Sequence, residues 1–263
     1  MLRRWAILLA ALAVAGGTAV AASSASAATA GASRFTPGGP VHLVGSGGPR
    51  AGGAIRHQAE STNWSGYAGT AGTYTSAAAS WTQPSVTCRG GDQYSAFWVG
   101  IDGYSSSTVE QTGTEADCVG RTAEYSAWYE MYPGPSENYP NAVRPGDHLT
   151  ATVTYQGGSS FSLHIADATE GWSQTTTASL AGAARSSAEV IVEAPCCTFS
   201  GGILPLADFG TVSFTGSLAN GSALGNAGGL TKIIMVDSSG RQKDSVSALS
   251  GGENFSATWE RRN

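Results

Sequence analysis

Leu149-Thr-Ala-Thr-Val-Thr-Tyr155, then a Gly157-Gly158 pair, then Phe161-Ser-Leu-His-Ile-Ala166 decide the fold class. Leu149, Ala151, Val153 and Tyr155 alternate with three threonines, and Phe161, Leu163 and Ile165 alternate with Ser162, His164 and Ala166. A period of two is what a strand with one buried face produces. Val212 and Phe214, and later Phe255, Ala257 and Trp259, repeat it. Pro145-Gly-Asp147, Gly157-Gly158 and Gly251-Gly252 punctuate the runs as turn signals. No long stretch keeps an apolar stripe at helical spacing. The Thr/Ser/Val/Gly-rich composition fits an all-β sandwich of two antiparallel sheets, with a closed barrel as the alternative topology.

The N-terminus reads differently. Met1-Leu-Arg-Arg4 is a charged start, Trp5 to Ala15 is a short apolar run, and Ala25-Ser-Ala-Ala28 fits a cleavage site after Ala27. Residues 1–27 are therefore expected to be a signal peptide and the protein to be secreted. Gly16-Gly17 and the Ala/Ser tail dilute hydrophobicity too far for a membrane anchor. Residues 28–59 are rich in Gly, Pro and Ala, and the stretch to about His57 should be extended or disordered. All nineteen Asp and Glu lie from Glu60 onward, whereas Arg3, Arg4, Arg34, Arg50 and Arg56 precede it. Residues 60–263 then carry nine basic against nineteen acidic residues. A basic segment before an acidic domain suggests a pro-segment held by long-range attraction. With Arg50 to His57 against Glu130, Asp102 or Glu193, it would block the site near neutral pH and be released in acid, for cleavage close to Glu60.

Residues 60–263 are one domain's worth of chain, with a monomer expected. Only two lysines occur, Lys232 and Lys243, so nucleic acid and anionic membranes are poor partners. Low charge density also limits how many ion pairs acid can break, which predicts acid tolerance. The four cysteines, in an exported protein, favour disulfides over metal ligation. Cys88 is expected to pair with Cys118, since each adjoins a strand-like segment. For the adjacent Cys196 and Cys197, a vicinal disulfide, free thiols and an intermolecular bridge all remain open. Their spacing matches no zinc motif, and no metal or other cofactor is expected. Asn63, Asn220 and Asn254 begin N-x-Ser sequons.

Alternation also says which side chains share a face. In Tyr125 to Tyr132, Trp128, Glu130 and Tyr132 point one way while Ala127, Tyr129 and Met131 point the other. In Ala188 to Glu193, burying Val190 and Val192 lifts Glu189, Ile191 and Glu193 onto the opposite, open face. Thr108-Val-Glu-Gln-Thr-Gly113 adds Gln111. Familiar nucleophile systems fit badly. There is no Gly-x-Ser-x-Gly elbow, no P-loop and no His-Glu-x-x-His, and Val236-Asp-Ser-Ser-Gly240 has no partner loop for an aspartic dyad.

Asn63-Trp-Ser-Gly66, Phe97-Trp-Val-Gly-Ile-Asp-Gly103, Glu110-Gln-Thr-Gly113, Ala127-Trp-Tyr-Glu-Met-Tyr-Pro133 and Ala188-Glu-Val-Ile-Val-Glu193 resemble, in order and spacing, the eqolisin glutamic peptidases. The resemblance runs from about residue 61 to the C-terminus. It implies a secreted, acid-acting endopeptidase, made with a signal and a pro-segment, whose cleft lies on the concave face of a sandwich of curved sheets. By position it implies Gln111 and Glu193 as the catalytic pair, with Trp64, Trp98, Asp102, Trp128, Glu130 and Tyr132 binding substrate in the cleft. Cys88, Cys118 and the Cys196-Cys197 pair depart from the cysteine pattern of the founding members.

The chemistry stands without the family. A carboxylate of ordinary pKa, near ~4.3, is ionised in mild acid and can take a proton from water. A carboxamide keeps its N–H donors at any acid pH and can face the oxyanion that develops on the scissile carbonyl. Glu193 would then return the proton to the leaving amine. Polypeptide substrates follow, and so does insensitivity to pepstatin. The rival readings are a retaining glycosidase built on Glu130 and Glu193, which leaves Gln111 idle, and a non-catalytic lectin-like module.

Overall fold

The computed structural model describes residues 39–44, 57–196 and 202–263. Sixteen strands follow in order: β1 His57–Ser61, β2 Trp64–Gly69, β3 Ser76–Thr82, β4 Ala96–Ile101, β5 Val109–Val119, β6 Thr122–Tyr132, β7 Glu137–Asn138 and β8 His148–Gly157. Then come β9 Ser160–Asp167, β10 Trp172–Ser179, β11 Ala188–Glu193, β12 Thr211–Ala219, β13 Ser222–Ala223, β14 Thr231–Met235, β15 Asp244–Val246 and β16 Phe255–Trp259. A single 3-10 turn, Leu224–Asn226, is the one helical element among the described residues. The first sheet runs β1-β14-β2-β11-β4-β5-β6-β7; the second runs β10-β9-β8-β3-β12-β16-β15, with β13 beside β12.

The runs read as strands do form strands. Leu149, Ala151 and Val153 on β8 and Phe161, Leu163 and Ile165 on β9 point inward. They meet Phe97, Val99 and Ile101 of β4, Ala127 of β6 and Val190 and Val192 of β11 in one core between the sheets. Burying a large apolar side chain here contributes about 1.5–3 kcal/mol each, and this layer is what joins the sheets into a sandwich.

One pairing departs from the antiparallel expectation. β1 runs parallel to β14, with His57 opposite Thr231 and Ser61 opposite Met235. The chain reverses at Thr62–Asn63, so β1 and β2 run in opposite directions. β14 slots between them, antiparallel to β2 and hence parallel to β1. β1 also straddles the boundary expected between residues 59 and 60. The disulfide joins Cys88 to Cys118 as expected, pinning the loop before β4 to β5. Cys196 is also disulfide-bonded; Cys197 lies outside the described residues, as do residues 1–27, expected to be a signal peptide, and Arg50. No described helix is long and apolar enough to cross a membrane.

Candidate active site

The first sheet turns its other face away from the core, and there the register sets out the site. One row across the strands is Glu189, Gly100, Gln111 and Glu130; the next is Ile191, Trp98, Gly113 and Trp128. The two glycines make room for Trp98. A Cβ at Gly113 would sit 2.5 Å from the Trp98 Cβ, and one at Gly100 would sit 2.8 Å from the indole ring. These clashes explain why Gly occurs in both Trp-Val-Gly and Gln-Thr-Gly. Trp98 lies edge-on to Trp64, with ring centroids 4.9 Å apart. Trp64, Trp98, Trp128, Val109, Ile191 and Ile233 form a second apolar cluster on this face, bordered by Tyr104, Tyr132 and Val41.

Polar groups are set into this apolar bed. The Trp98 indole Nε1 donates to Glu193 Oε2 at 2.9 Å, and Asn63 Nδ2 approaches Glu193 Oε1 at 3.4 Å. Gln111 Nε2 donates to Glu130 Oε2 at 2.6 Å. Burial, then the nearby charge of Glu193, pushes the Glu130 carboxyl up to about 9, against the opposing effect of the Gln111 bond. Glu130 is therefore a neutral acid at any acid pH, and its response to Glu193 ties the two halves of the site together. Gln111 Oε1, Glu130 Oε1 and the indole nitrogens of Trp64 and Trp128 have no protein partner among the described residues. These are groups that a bound peptide and a water can satisfy.

The faces fall as the alternation predicts: Trp128 and Tyr132 join the cluster on this side, whereas Ala127, Tyr129 and Met131 pack toward the core. The expected open, solvent-filled character does not hold. Gln111, Glu130, Glu193 and all three tryptophans are fully buried. Large indoles fill the floor, and residues 39–44, expected to be extended or disordered, pack over part of it. Pro40 O accepts from Asn63 Nδ2 at 3.3 Å, and Val41 N donates to Gly103 O at 3.0 Å. His42 N donates to Asn63 Oδ1 at 2.7 Å. A Cβ on Gly39 would rest 3.6 Å from the Tyr132 ring. Of Arg50 to His57, expected to make this contact, residues 50–56 lie outside the described residues and His57 begins β1, opposite Thr231.

Asp102, an expected cleft residue, is fully buried and bonded to the loop that leads into β11. Its oxygens accept from the backbone N–H of Arg185 and Ser186, from Ser186 Oγ and from Thr108 Oγ1. It sits at φ 74°, a left-handed conformation uncommon for a residue with a Cβ, though Asp tolerates it better than most. Its work is to hold the loop that leads into β11. Beside it lie two more buried carboxyls. Burial and then the charge of Asp102 push Glu110 up to about 8, and burial raises Glu189 well above its usual range.

Residues 62–259 match the Peptidase A4 family. The chain belongs to it. Aspergillopepsin-2 of Aspergillus niger is 31% identical over 215 residues, 71% of this chain and 75% of that protein. A crystal structure of scytalido-glutamic peptidase with a transition-state analog inhibitor superposes with a TM-score of 0.65 at 23% identity, covering 76% of this chain and 98% of the other. Aspergilloglutamic peptidase of Aspergillus niger gives 0.56 at 26% identity, with 64% and 99% covered. This eqolisin is a peptide hydrolase of the glutamic peptidase class, and the lectin and glycosidase readings fall away.

Sequence reasoning passed over Asn63, quoted within a motif and counted as a sequon. It is fully buried, so a glycan on it is incompatible with the folded chain, and its amide touches Glu193. Period-two spacing from Trp64, which points to this face, does not reveal it, because Asn63 sits in the turn before β2. The packing of this segment has a faint signal in Val41, an apolar residue within a Gly/Pro-rich stretch that meets the cluster, whereas Leu43 and Val44 stay exposed.

Proposed function

We propose that this acid endopeptidase cleaves peptide bonds with Glu193 as general base and then acid, and with Gln111 as the amide that steadies the water and the oxyanion. The observation that carries this reading is the convergence of two motifs far apart in the chain. Glu193 and Gln111 come to one face of one sheet, linked through Trp98 and Glu130. Glu193 takes a proton from water as the water attacks the scissile carbonyl. Gln111 has one N–H on Glu130, which leaves its second N–H for the developing oxyanion and Oε1 for the water. Glu193 then passes its proton to the departing amine, and the cycle closes with no charge left behind. Glu130, neutral in acid, orients the amide without competing as a base. Trp64, Trp98, Trp128 and Tyr132 supply the apolar bed for the substrate, and Asp102 shapes it from outside.

We extend the reading to the precursor. Residues 28–59 act as an inhibitory pro-segment, with Gly39 to Val41 lying on the catalytic face, and the protein is exported through residues 1–27. Support comes from the backbone bonds of Pro40, Val41 and His42 to the site's own rim.

Casein digestion near pH 3–4, with and without pepstatin, tests the chemistry. Gln111→Ala and Glu193→Ala should each lose activity by about 10²–10³ or more while their circular dichroism stays native, and pepstatin should leave the wild type unaffected. Normal digestion by either folded variant, or strong pepstatin inhibition, would refute the assignment.

A further inference from the structure

Asn63 is buried between the 39–44 segment and Glu193 and touches both. Its Oδ1 accepts from His42 N at 2.7 Å and from Ser61 Oγ at 2.8 Å. Its Nδ2 lies 3.3 Å from Pro40 O and 3.4 Å from Glu193 Oε1. The hydroxyl of Ser61 in turn accepts from the backbone N–H of Asn63 and of Trp64, so the amide has little freedom to turn. A carboxamide offers one acceptor and two donors, and here they are divided between an extended main chain and a carboxylate. Thr62 N bonding to His42 O and Val44 N bonding to Glu60 O continue the strand-like pairing beyond it.

We infer that Asn63 is a positioning residue of the peptidase: it clamps an extended peptide by the carbonyl of one residue and the N–H two residues on, and with the same amide holds the carboxylate of Glu193. Main-chain contacts spaced two residues apart read strand conformation rather than side chains. The clamp therefore selects an extended polypeptide of any sequence, while Val41, packed on the apolar cluster between the two clamped residues, marks where an apolar side chain fits. This inference rests on the role proposed for Glu193. The other titratable groups near that carboxylate are Glu130 and, two strands away in the same row, Glu115.

The test compares the full chain with Asn63→Asp, following kcat/KM on a quenched fluorescent peptide from pH 2.5 to 6. Aspartate keeps both acceptor contacts and the shape of the side chain but removes the N–H donors. A carboxylate beside Glu193 disfavours its ionised form, so the acid limb should move up by about one pH unit and KM should rise several-fold. A folded Asn63→Asp whose acid limb coincides with that of the wild type would overturn the inference, since a merely structural loss lowers activity evenly at all pH. A second variant avoids any folding risk in the domain. His42→Pro removes the clamped N–H, so the full chain should show several-fold higher initial activity near pH 5–6, whereas Leu43→Pro, whose N–H takes no part in the clamp, should not. Equal latency of wild type and His42→Pro would overturn the inference too, and decides the matter if Asn63→Asp does not fold. Should the wild type lack acid proteolysis, or Glu193→Gln match it, the underlying catalytic reading fails rather than the clamp.

Discussion

Strands β10 and β11 follow one another in the chain and live in opposite surroundings. Along β10, half-buried and exposed residues alternate without a break; along β11, every residue is buried. β10 lies at the edge of the second sheet, whose outer face is a carpet of hydroxyls. There Ser162 faces Thr177 across β9 and β10, and His164 Nδ1 meets Thr175 Oγ1 at 2.7 Å. β11 lies in the middle of the first sheet, flanked by β2 and β4, with glutamates where a solvated face was expected. Polar residues on an open face cost little and do little. Carboxyls in a covered face are held away from water, so each must be neutral, bonded or at work.

The largest effect that would sharpen this contrast lies on β5, where adjacent residues face opposite ways. Gln111→Ala should cost about 10²–10³ in kcat. Thr112→Val, which removes a bond to Trp128 O on the core side, should lower the melting temperature and leave kcat within about 3-fold, since surface-remote losses of one hydrogen bond are about 1 kcal/mol. Peptide kinetics and thermal melts on the same preparations would show whether the two faces separate chemistry from stability.

Next in size is the disulfide that ties β5 to the loop before β4. Cys88→Ser should destabilise the fold by about 2–5 kcal/mol, a fall of very roughly 5–15 °C in Tm for a domain of this size. Equal melting of variant and wild type would show that the Cys88–Cys118 link adds nothing to the first sheet.

The pH dependence of stability comes third. Glu110 and Glu130 titrate near 8 and 9 in the fold against 4.5 when free, and Glu189 is also raised, burial being the first cause in each case. The folded protein therefore holds protons that the unfolded chain releases. Their stabilisation is complete below about pH 4.5 and drains away as pH rises through 8 to 9. Asp237 runs the other way, lowered chiefly by the Ser239 hydroxyl, and loses its contribution only in strong acid. Tm should accordingly fall between pH 4 and pH 8 by about 5 °C or more, and Glu110→Gln should flatten that slope. A wild type that melts higher at pH 8 than at pH 4 would mean these carboxyls are ionised in the fold. The smallest expected effect is on the hydroxyl face: Thr177→Val, exposed on β10, should shift Tm by no more than about 2 °C.

The same contrast explains how far the sequence could be read. On β8 and β9 polarity and burial alternate together, so Thr and Ser mark the outside and these two strands are legible residue by residue, whereas β10 sets Gln174 and Thr176 on its half-buried face and shows no such pattern. On β11 the pattern Glu-Val-Ile-Val-Glu assigns the faces correctly, and Val190 and Val192 do enter the core. It misjudges exposure, because nothing in Glu189 or Glu193 says that tryptophans from three other strands will pack on that face. The motifs preserve the spacing that puts Gln111, Glu130 and Glu193 on one face of the first sheet. Asp102 belongs to such a motif, yet its bonds to Arg185 and Ser186 are not legible there, since a motif fixes position and not the direction of a side chain at positive φ. Asn63 escaped because its contact with Glu193 spans 130 residues, and no local pattern encodes a meeting of that range. The packing of Gly39 to Val41 depends likewise on a surface assembled from the rest of the chain.

The account rests on one carboxylate being the working one among several that burial keeps neutral. Glu189 and Glu193 lie on the same strand and the same face, four residues apart, so Glu189→Gln and Glu193→Gln digesting casein at pH 3.5 side by side put that to the test. The account predicts that folded Glu193→Gln is inactive while Glu189→Gln digests at close to the wild-type rate. An active Glu193→Gln, or a folded Glu189→Gln that has lost activity to the same degree, would contradict it.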